Sequence, residues 1–131
     1  MEIKEKAELK QAWLKSGKED IILANDLFRL KHYGYCLFFC HLAIEKLLKA
    51  LYIKTIDSYP PPTHKLAKLA KDARVVLTDE QIAHLNEITT FNIEARYDVI
   101  KTALYRKATS DFAKKYLRIS TDLFNYFVSL I

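Results

Sequence analysis

Residues 41–51 read HLAIEKLLKAL, and this stretch decides the fold class because its composition strongly favours a helix. Glu45 and Lys49 stand four residues apart with the acid first, which is the favourable order for an ion pair on a helix. Lys46 lies beside this pair. The sequence therefore predicts a helix that carries an acid and two lysines on one side.

The composition of the whole chain also favours helices. Half of the 131 residues are hydrophobic, so a core can form without disulfides or metal ions. Glycine occurs twice and proline three times, and the prolines are consecutive at positions 60–62. So few breakers predict long uninterrupted elements. We expect residues 1–131 to form a single domain.

Hydrophobic periodicity divides the chain into helices joined by short connections. The predicted helices cover residues 3–30, 35–56, 64–75, a stretch from 78 onward, and 103 to the end. Thr63 is the expected N-cap of the third helix, and a short turn is expected around Gly34 in KHYGY. Residues 92–102 show no clear period. The predicted fold class is all-α, an antiparallel up-and-down bundle of four to five helices.

Positive charge is concentrated in the last third of the chain. Residues 96–118 contain seven basic and two acidic side chains. The net charge of this segment is therefore +5, which equals the net charge of the whole sequence. This asymmetry points to a polyanionic partner such as RNA, a nucleotide or an acidic protein. A solvated helix face in a lysine-rich protein is the alternative.

The sequence shows no sign of a membrane segment, a metal or a cofactor. The charged N-terminal run has no apolar signal region, and no window reaches the roughly 18 apolar residues of a membrane span. We therefore expect a cytoplasmic protein with no membrane contact. Cys36 and Cys40 are expected to be small core residues, because a metal pair with His41 lacks further ligands at suitable spacing.

Three segments in fixed order carry a family resemblance. HLAIEKLLKAL, PPPTHKL and ARYD follow a first helix that contains Trp13, and together they resemble the HEPN domain family (higher eukaryotes and prokaryotes nucleotide-binding). Leu42 stands where this family often has glutamine, and Asp98 stands where a proline commonly follows Arg-Tyr. The resemblance implies a bundle of four to five helices, commonly a homodimer with a cleft where the two last-helix regions meet.

The resemblance also raises the question of ribonuclease activity. Many family members are metal-independent ribonucleases that use an arginine followed, after four to six residues, by a histidine. Arg96 matches that arginine, but the positions where the histidine should fall are Lys101, Thr102 and Ala103. A lysine can hold phosphate but is a poor proton shuttle at neutral pH. An inactive protein is therefore favoured, and a displaced base remains the alternative, with these candidates: Tyr97, Tyr105 and His64.

The resulting functional hypothesis is a nucleotide- or RNA-binding module. The resemblance implies that it acts with a small nucleotidyltransferase partner in a toxin–antitoxin-like pair. The residues expected to bind ligand or phosphate are Arg96, Tyr97, Asp98, Lys101, Lys46, Lys49 and His64. Two alternatives stay open, namely a ribonuclease with a displaced base and a bundle that only binds other proteins.

Several candidate residues also have a structural interpretation. Arg96 could pair with a buried acid such as Asp20 or Glu45, since acids inside bundles are usually paired. Glu45 and its neighbouring lysines could form an ion-pair network on the central helix. His64 could serve loop hydrogen bonds, and His41 could be a core residue.

Overall fold

The structure, a computed structural model, describes residues 2–93 and 98–131, with the side chains of residues 98–100 excluded. Its helices are α1 (Ile3–Arg29), α2 (Tyr33–Ile56), α3 (Leu66–Asp72), α4 (Asp79–Thr89), α5 (Asp98–Lys107) and α6 (Ser110–Ser129). The described ranges contain no strand, and the predicted all-α fold class is confirmed. None of these helices is both long and apolar enough to cross a membrane.

Helix α2 is the centre of the bundle. It is apolar on almost every side, as expected of a helix that other helices surround. It packs against each of the other five helices, most extensively against α1 and α6. Leu37, Ile44, Leu47 and Leu48 are fully buried, and burial of each such side chain contributes about 1.5–3 kcal/mol.

Gly17 allows α1 to approach α2 closely. A Cβ atom at this position would lie 2.4 Å from Leu47 Cδ2 and 3.2 Å from the carbonyl oxygen of Ala43. Glycine inside a helix costs about 1 kcal/mol relative to alanine. The close contact between the two helices explains why it is nevertheless present.

The turn between α1 and α2 differs from the prediction. It was expected around Gly34, but it falls before Tyr33, where Lys31 adopts a left-handed backbone conformation with φ of 63°. Gly34 lies inside the first turn of α2, and a Cβ there would lie 2.2 Å from the ring of Tyr105. Gly34 is therefore required for packing against α5 and not for the turn.

The start of α3 was also predicted wrongly. Thr63 does not cap this helix, which begins at Leu66; its hydroxyl oxygen accepts a hydrogen bond of 3.1 Å from the Lys65 amide. The amide of Leu66 instead donates to the hydroxyl of Thr89 on α4 at 3.1 Å. A tertiary contact thus satisfies the first donor of α3, and local sequence cannot reveal such a contact.

The start of α4, by contrast, matches the prediction. Thr78 accepts a hydrogen bond from the Gln81 amide, and the Gln81 side chain accepts one from the Thr78 amide. This reciprocal pair is a capping box, and it satisfies two amides that the helix itself leaves without partners.

The single last helix predicted from residue 103 to the end is wrong. Helix α5 ends at Lys107 and α6 begins at Ser110. Thr109 lies at the break, where its hydroxyl accepts a hydrogen bond of 3.2 Å from the Phe112 amide and caps α6. The apolar seam of α6 faces inward, since Tyr116, Leu123 and Phe127 all belong to the main core cluster.

Cys36 and Cys40 are buried free thiols, as predicted. With Ala24 of α1 they form a second, smaller apolar cluster, and Phe28 and Leu117 pack against it. The Cys40 thiol lies beside Cys36, and this contact together with burial holds the pKa of Cys40 well above its ordinary value. The two thiols therefore contribute packing to the core.

Candidate functional site

The predicted site residues occupy two separate parts of the bundle. Lys46, Lys49 and His64 surround acids near the middle of α2, whereas Lys101 lies beside the first turn of the same helix. Tyr35 and Glu45, which anchor the two groups, are ten residues apart on α2, or about 15 Å along its axis. Lys46, Lys49, His64 and Lys101 had all been predicted to bind ligand or phosphate.

Three of the predicted residues cannot be assigned to either group. Arg96 and Tyr97 lie outside the described residues. Asp98 is the first residue of α5, but its side chain lies outside the described part of the chain. Their assignment to a phosphate site remains a prediction.

The first group is centred on the carboxylate of Glu45, whose residue is only 5% exposed. His64 Nδ1 lies 2.5 Å from Glu45 Oε1, and His41 Nε2 lies 3.3 Å from the same oxygen. Lys49 Nζ lies 3.2 Å from Oε2 and also 4.9 Å from the centroid of the Trp13 ring. The carboxylate thus links α2 to the segment before α3, and its partner Lys49 contacts Trp13 of α1.

These contacts keep Glu45 ionised. Burial raises the pKa of a carboxyl group, but contacts with His41 and His64 and the charge of Lys49 outweigh this effect and lower the pKa of Glu45 to about 2. The carboxylate is therefore a fixed negative charge at neutral pH. A phosphate group would be repelled by it, so this cluster is poorly suited to bind an anion.

Lys46 is occupied by a second buried acid. Its Nζ lies 2.6 Å from Asp20 Oδ2 and donates to the hydroxyl of Ser16 at 2.8 Å. Asp20 is 8% exposed and thus bridges α1 to α2, as acids on the apolar stripe of a helix must find a partner. Lys46 and Lys49 consequently belong to a structural ion-pair network, one of the two interpretations that the sequence allowed.

The second group lies where α5 meets the start of α2. Lys101 Nζ lies 5.4 Å from the centroid of the Tyr35 ring and 5.7 Å from that of Tyr105. The two rings meet edge to face with centroids 5.8 Å apart. Beside them is a cavity of about 300 Å³, lined by Lys31, His32, Tyr33, Gly34, Tyr35, Tyr105 and Ala108.

The electrostatic character of this second group favours an anion. Lys31 and Lys101 bring positive charge to the N-terminal end of α2. The first backbone amides of this helix lie at the same end and have no hydrogen-bond partner within the helix. His32, the N-cap residue, makes no side-chain capping hydrogen bond. We name this region the tyrosine cavity.

The two phenols of the tyrosine cavity, Tyr35 and Tyr105, have pKa values that are shifted in opposite directions. Hydrogen bonds with Tyr105 and Lys101, together with the charge of Lys101, lower the pKa of Tyr35. Burial and the contact with Tyr35 raise the pKa of Tyr105. Tyr105, which sequence analysis named as a possible displaced base, is therefore the weaker candidate for deprotonation of the two.

Tyr35 and its neighbours Lys31 and His32 were not among the predicted site residues, because KHYGY was interpreted only as a turn. The available signal was the density of aromatic and basic side chains around one of the two glycines. Two tyrosines and a histidine next to a lysine offer stacking, hydrogen bonding and charge within five residues.

The architecture is that of an all-α bundle assembled around one buried central helix, with both candidate sites on that helix. Residues 10–130 match the sequence model of the HEPN domain, so the chain belongs to the HEPN domain family. Its fold is similar to the crystal structure of TT1696 from Thermus thermophilus, with a TM-score of 0.76 and 16% sequence identity over 93% of this chain and 98% of that chain. No curated protein matches the sequence.

Proposed function

We propose that this chain is a nucleotide- or RNA-binding module, which holds phosphate with Lys101 at the tyrosine cavity and does not cleave its ligand. The observation that carries the proposal is the position of Lys101 against two tyrosine rings beside an open cavity. Tyr35 and Tyr105 are 39% and 40% exposed, so their rings can stack on a base while the ammonium group contacts a phosphate.

The size of the cavity limits the ligand. Its volume of about 300 Å³ is at the lower end of the range for small-molecule sites. One nucleotide fits such a volume, or one unstacked nucleotide of a single-stranded RNA.

The position and charge of Lys101 also support a module that does not cleave RNA. It occupies the first of the positions where the family resemblance places a catalytic histidine. A hydrogen bond with Tyr35 and the neighbouring phenols raise its pKa, so its side chain remains a cation and cannot accept a proton at neutral pH. A permanent cation stabilises bound phosphate and does not transfer protons.

Fluorescence titration of a labelled single-stranded RNA and of nucleoside monophosphates tests this proposal. We expect Lys101→Ala and Arg96→Ala each to weaken binding about tenfold. Lys114→Ala is the matched control, because Lys114 is an exposed lysine of α6 in the same basic segment. Equal, small and salt-sensitive losses in all three variants would contradict a built site, since they describe nonspecific attraction.

We further propose that the module acts in the cytoplasm as a homodimer, together with a small nucleotidyltransferase in a toxin–antitoxin-like pair. Family membership supports this part of the proposal. Light scattering of the purified chain tests the dimer. Co-expression with the product of an adjacent nucleotidyltransferase gene, followed by affinity purification, tests the pair. Binding to that protein without any binding of RNA or nucleotide would favour the pure protein-interaction alternative.

A ribonuclease with a displaced base is the second candidate function, and the lowered pKa of Tyr35 favours it. A phenol that ionises more readily beside a lysine could accept a proton from a ribose hydroxyl. His64 contacts the carboxylate of Glu45 in the other group of residues, so it is not placed to serve as the base at the tyrosine cavity. Incubation of RNA with the protein in chelator should then produce cleavage that Tyr35→Phe abolishes. RNA that stays intact at high protein concentration excludes this function.

A further inference from the structure

Three side chains away from the tyrosine cavity converge as metal ligands would. His41, Glu45 and His64 each offer one nitrogen or oxygen atom, and these three atoms all lie within 4.8 Å of one another. His41 and Glu45 are four residues apart and therefore share one face of α2. His64 comes from the segment before α3.

His41 provides an independent indication of a ligand. It is fully buried, and within the described residues neither of its ring nitrogens has a hydrogen-bond partner. The 3.3 Å approach of Nε2 to Glu45 Oε1 lacks the alignment of a hydrogen bond. A buried polar group without a partner costs about 1–3 kcal/mol, and a cation bound to Nε2 would remove that cost.

We propose that His41, Glu45 and His64 bind one divalent first-row transition ion, with zinc the best fit. Two imidazoles and a carboxylate form a donor set that suits zinc and disfavours magnesium. Donors bound at about 2.0–2.1 Å in a tetrahedral site lie roughly 3.3 Å apart. The observed distance between His41 Nε2 and Glu45 Oε1 is already 3.3 Å.

The third ligand needs a small movement. His64 Nδ1 lies 2.5 Å from Glu45 Oε1 and must move outward to admit an ion between them. The side chain of His64 is 52% exposed, so it has room to move. The solvent-facing side of the site leaves the fourth coordination position of the ion for a water molecule. Lys49 contacts the other carboxylate oxygen, Oε2, and thereby leaves Oε1 for the metal.

Lys49 also restricts the affinity. Its positive charge lies 3.2 Å from the carboxylate that would bind the ion, and like charges repel. We therefore expect a single site of moderate affinity. This proposal departs from the sequence expectation of no metal, and it concerns a different part of α2 from the tyrosine cavity.

Calorimetric titration of the full chain, stripped with chelator and dialysed, tests the site. We expect one zinc ion per chain, no saturable magnesium binding, and affinity for zinc reduced at least about tenfold in His64→Ala. His84→Ala is the control and should retain the wild-type affinity, because His84 lies on α4 against Tyr116. The half-exposed position of His64 makes its replacement compatible with folding, which circular dichroism verifies.

Imidazole NMR of the wild type gives a readout that needs no variant. Zinc should shift the ring signals of His41 and His64 and leave those of His32 and His84 in place, and cobalt should give the strong visible absorption of a low-coordinate site. The proposal is overturned by the absence of saturable zinc binding, by equal affinity in His64→Ala and His84→Ala, or by shifts at His32 and His84 alone.

Discussion

His64 Nδ1 lies 2.5 Å from Glu45 Oε1, and this contact joins two segments that are 19 residues apart in sequence. Glu45 belongs to HLAIEKLLKAL on α2, and His64 belongs to PPPTHKL before α3. A buried carboxylate on the central helix needs hydrogen-bond partners, and the half-exposed imidazole supplies one. Two of the three segments that carry the family resemblance are therefore one physical unit, which fixes the start of α3 against α2.

The first prediction concerns the stability of this unit at acid pH. Because the folded-state pKa of Glu45 is about 2 and its ordinary value is 4.5, the ionised carboxylate stabilises the fold above pH 4.5. That contribution is lost as the pH falls toward 2. His41, His64 and Lys49 are the titratable side chains that contact it. We expect urea denaturation to show a weaker loss of stability in Glu45→Gln than in the wild type across this interval.

Glu8→Gln is the matched control for that series, because Glu8 is an exposed acid of α1. It should reproduce the wild-type dependence on pH. Parallel curves for wild type and Glu45→Gln would show that Glu45 titrates alike in the folded and unfolded states, contrary to the geometry.

The second prediction concerns Gly34 and Tyr105. An alanine at position 34 would place its Cβ 2.2 Å from the Tyr105 ring, so Gly34→Ala should lower the free energy of unfolding by about 1–3 kcal/mol. In the background of Tyr105→Ala the ring is absent, and the same change should become neutral or stabilise by up to about 1 kcal/mol. A double-mutant cycle in urea measures this reversal of sign. Additive effects would mean that the ring does not occupy that position.

The third prediction separates a buried ion pair from an exposed one. Lys46→Met leaves Asp20 buried without its cation and should destabilise the fold by about 1–3 kcal/mol. Replacing both residues, as Asp20→Asn with Lys46→Met, should recover part of that loss. Lys68→Met is the control, because Lys68 is exposed and its partner Asp72 is partly exposed, and such surface pairs contribute about 0–1 kcal/mol. Similar losses in both single variants would contradict the assigned role of Asp20.

The features that could be predicted from the sequence are those set by local pattern. The bounds of α1 and α2 were predicted to within two residues at every end. That prediction rested on the helical period of the apolar residues and on the scarcity of glycine and proline. The start of α4 was predictable because Thr78 and Gln81 satisfy each other within one turn. The break before α6 was missed because the apolar stripe continues through it, although Thr109 is a favourable cap.

The features that could not be predicted depend on contacts between distant segments. Lys46 and Lys49 were expected beside Glu45, but the pairing of Lys46 with Asp20 requires α1 to pack on α2. The contact of Lys101 with Tyr35 likewise requires α5 to lie against the first turn of α2. Periodicity indicates which face of a helix is buried, but not which residue of another helix it meets.

The final prediction concerns the electrostatics of the tyrosine cavity. Hydrogen bonds with Tyr105 and Lys101 and the charge of Lys101 lower the pKa of Tyr35, so removal of either partner should raise it. Tyrosine ¹³Cζ NMR should show Tyr35 ionising below the ordinary pKa of 10.0 in the wild type and at higher pH in Tyr105→Phe and Lys101→Met. Lys114→Met should leave the titration unchanged, because it removes a charge from another part of the basic segment. A Tyr35 that titrates normally in the wild type would show that the ammonium group does not lie against it, and the phosphate site proposed there would lose its geometric support.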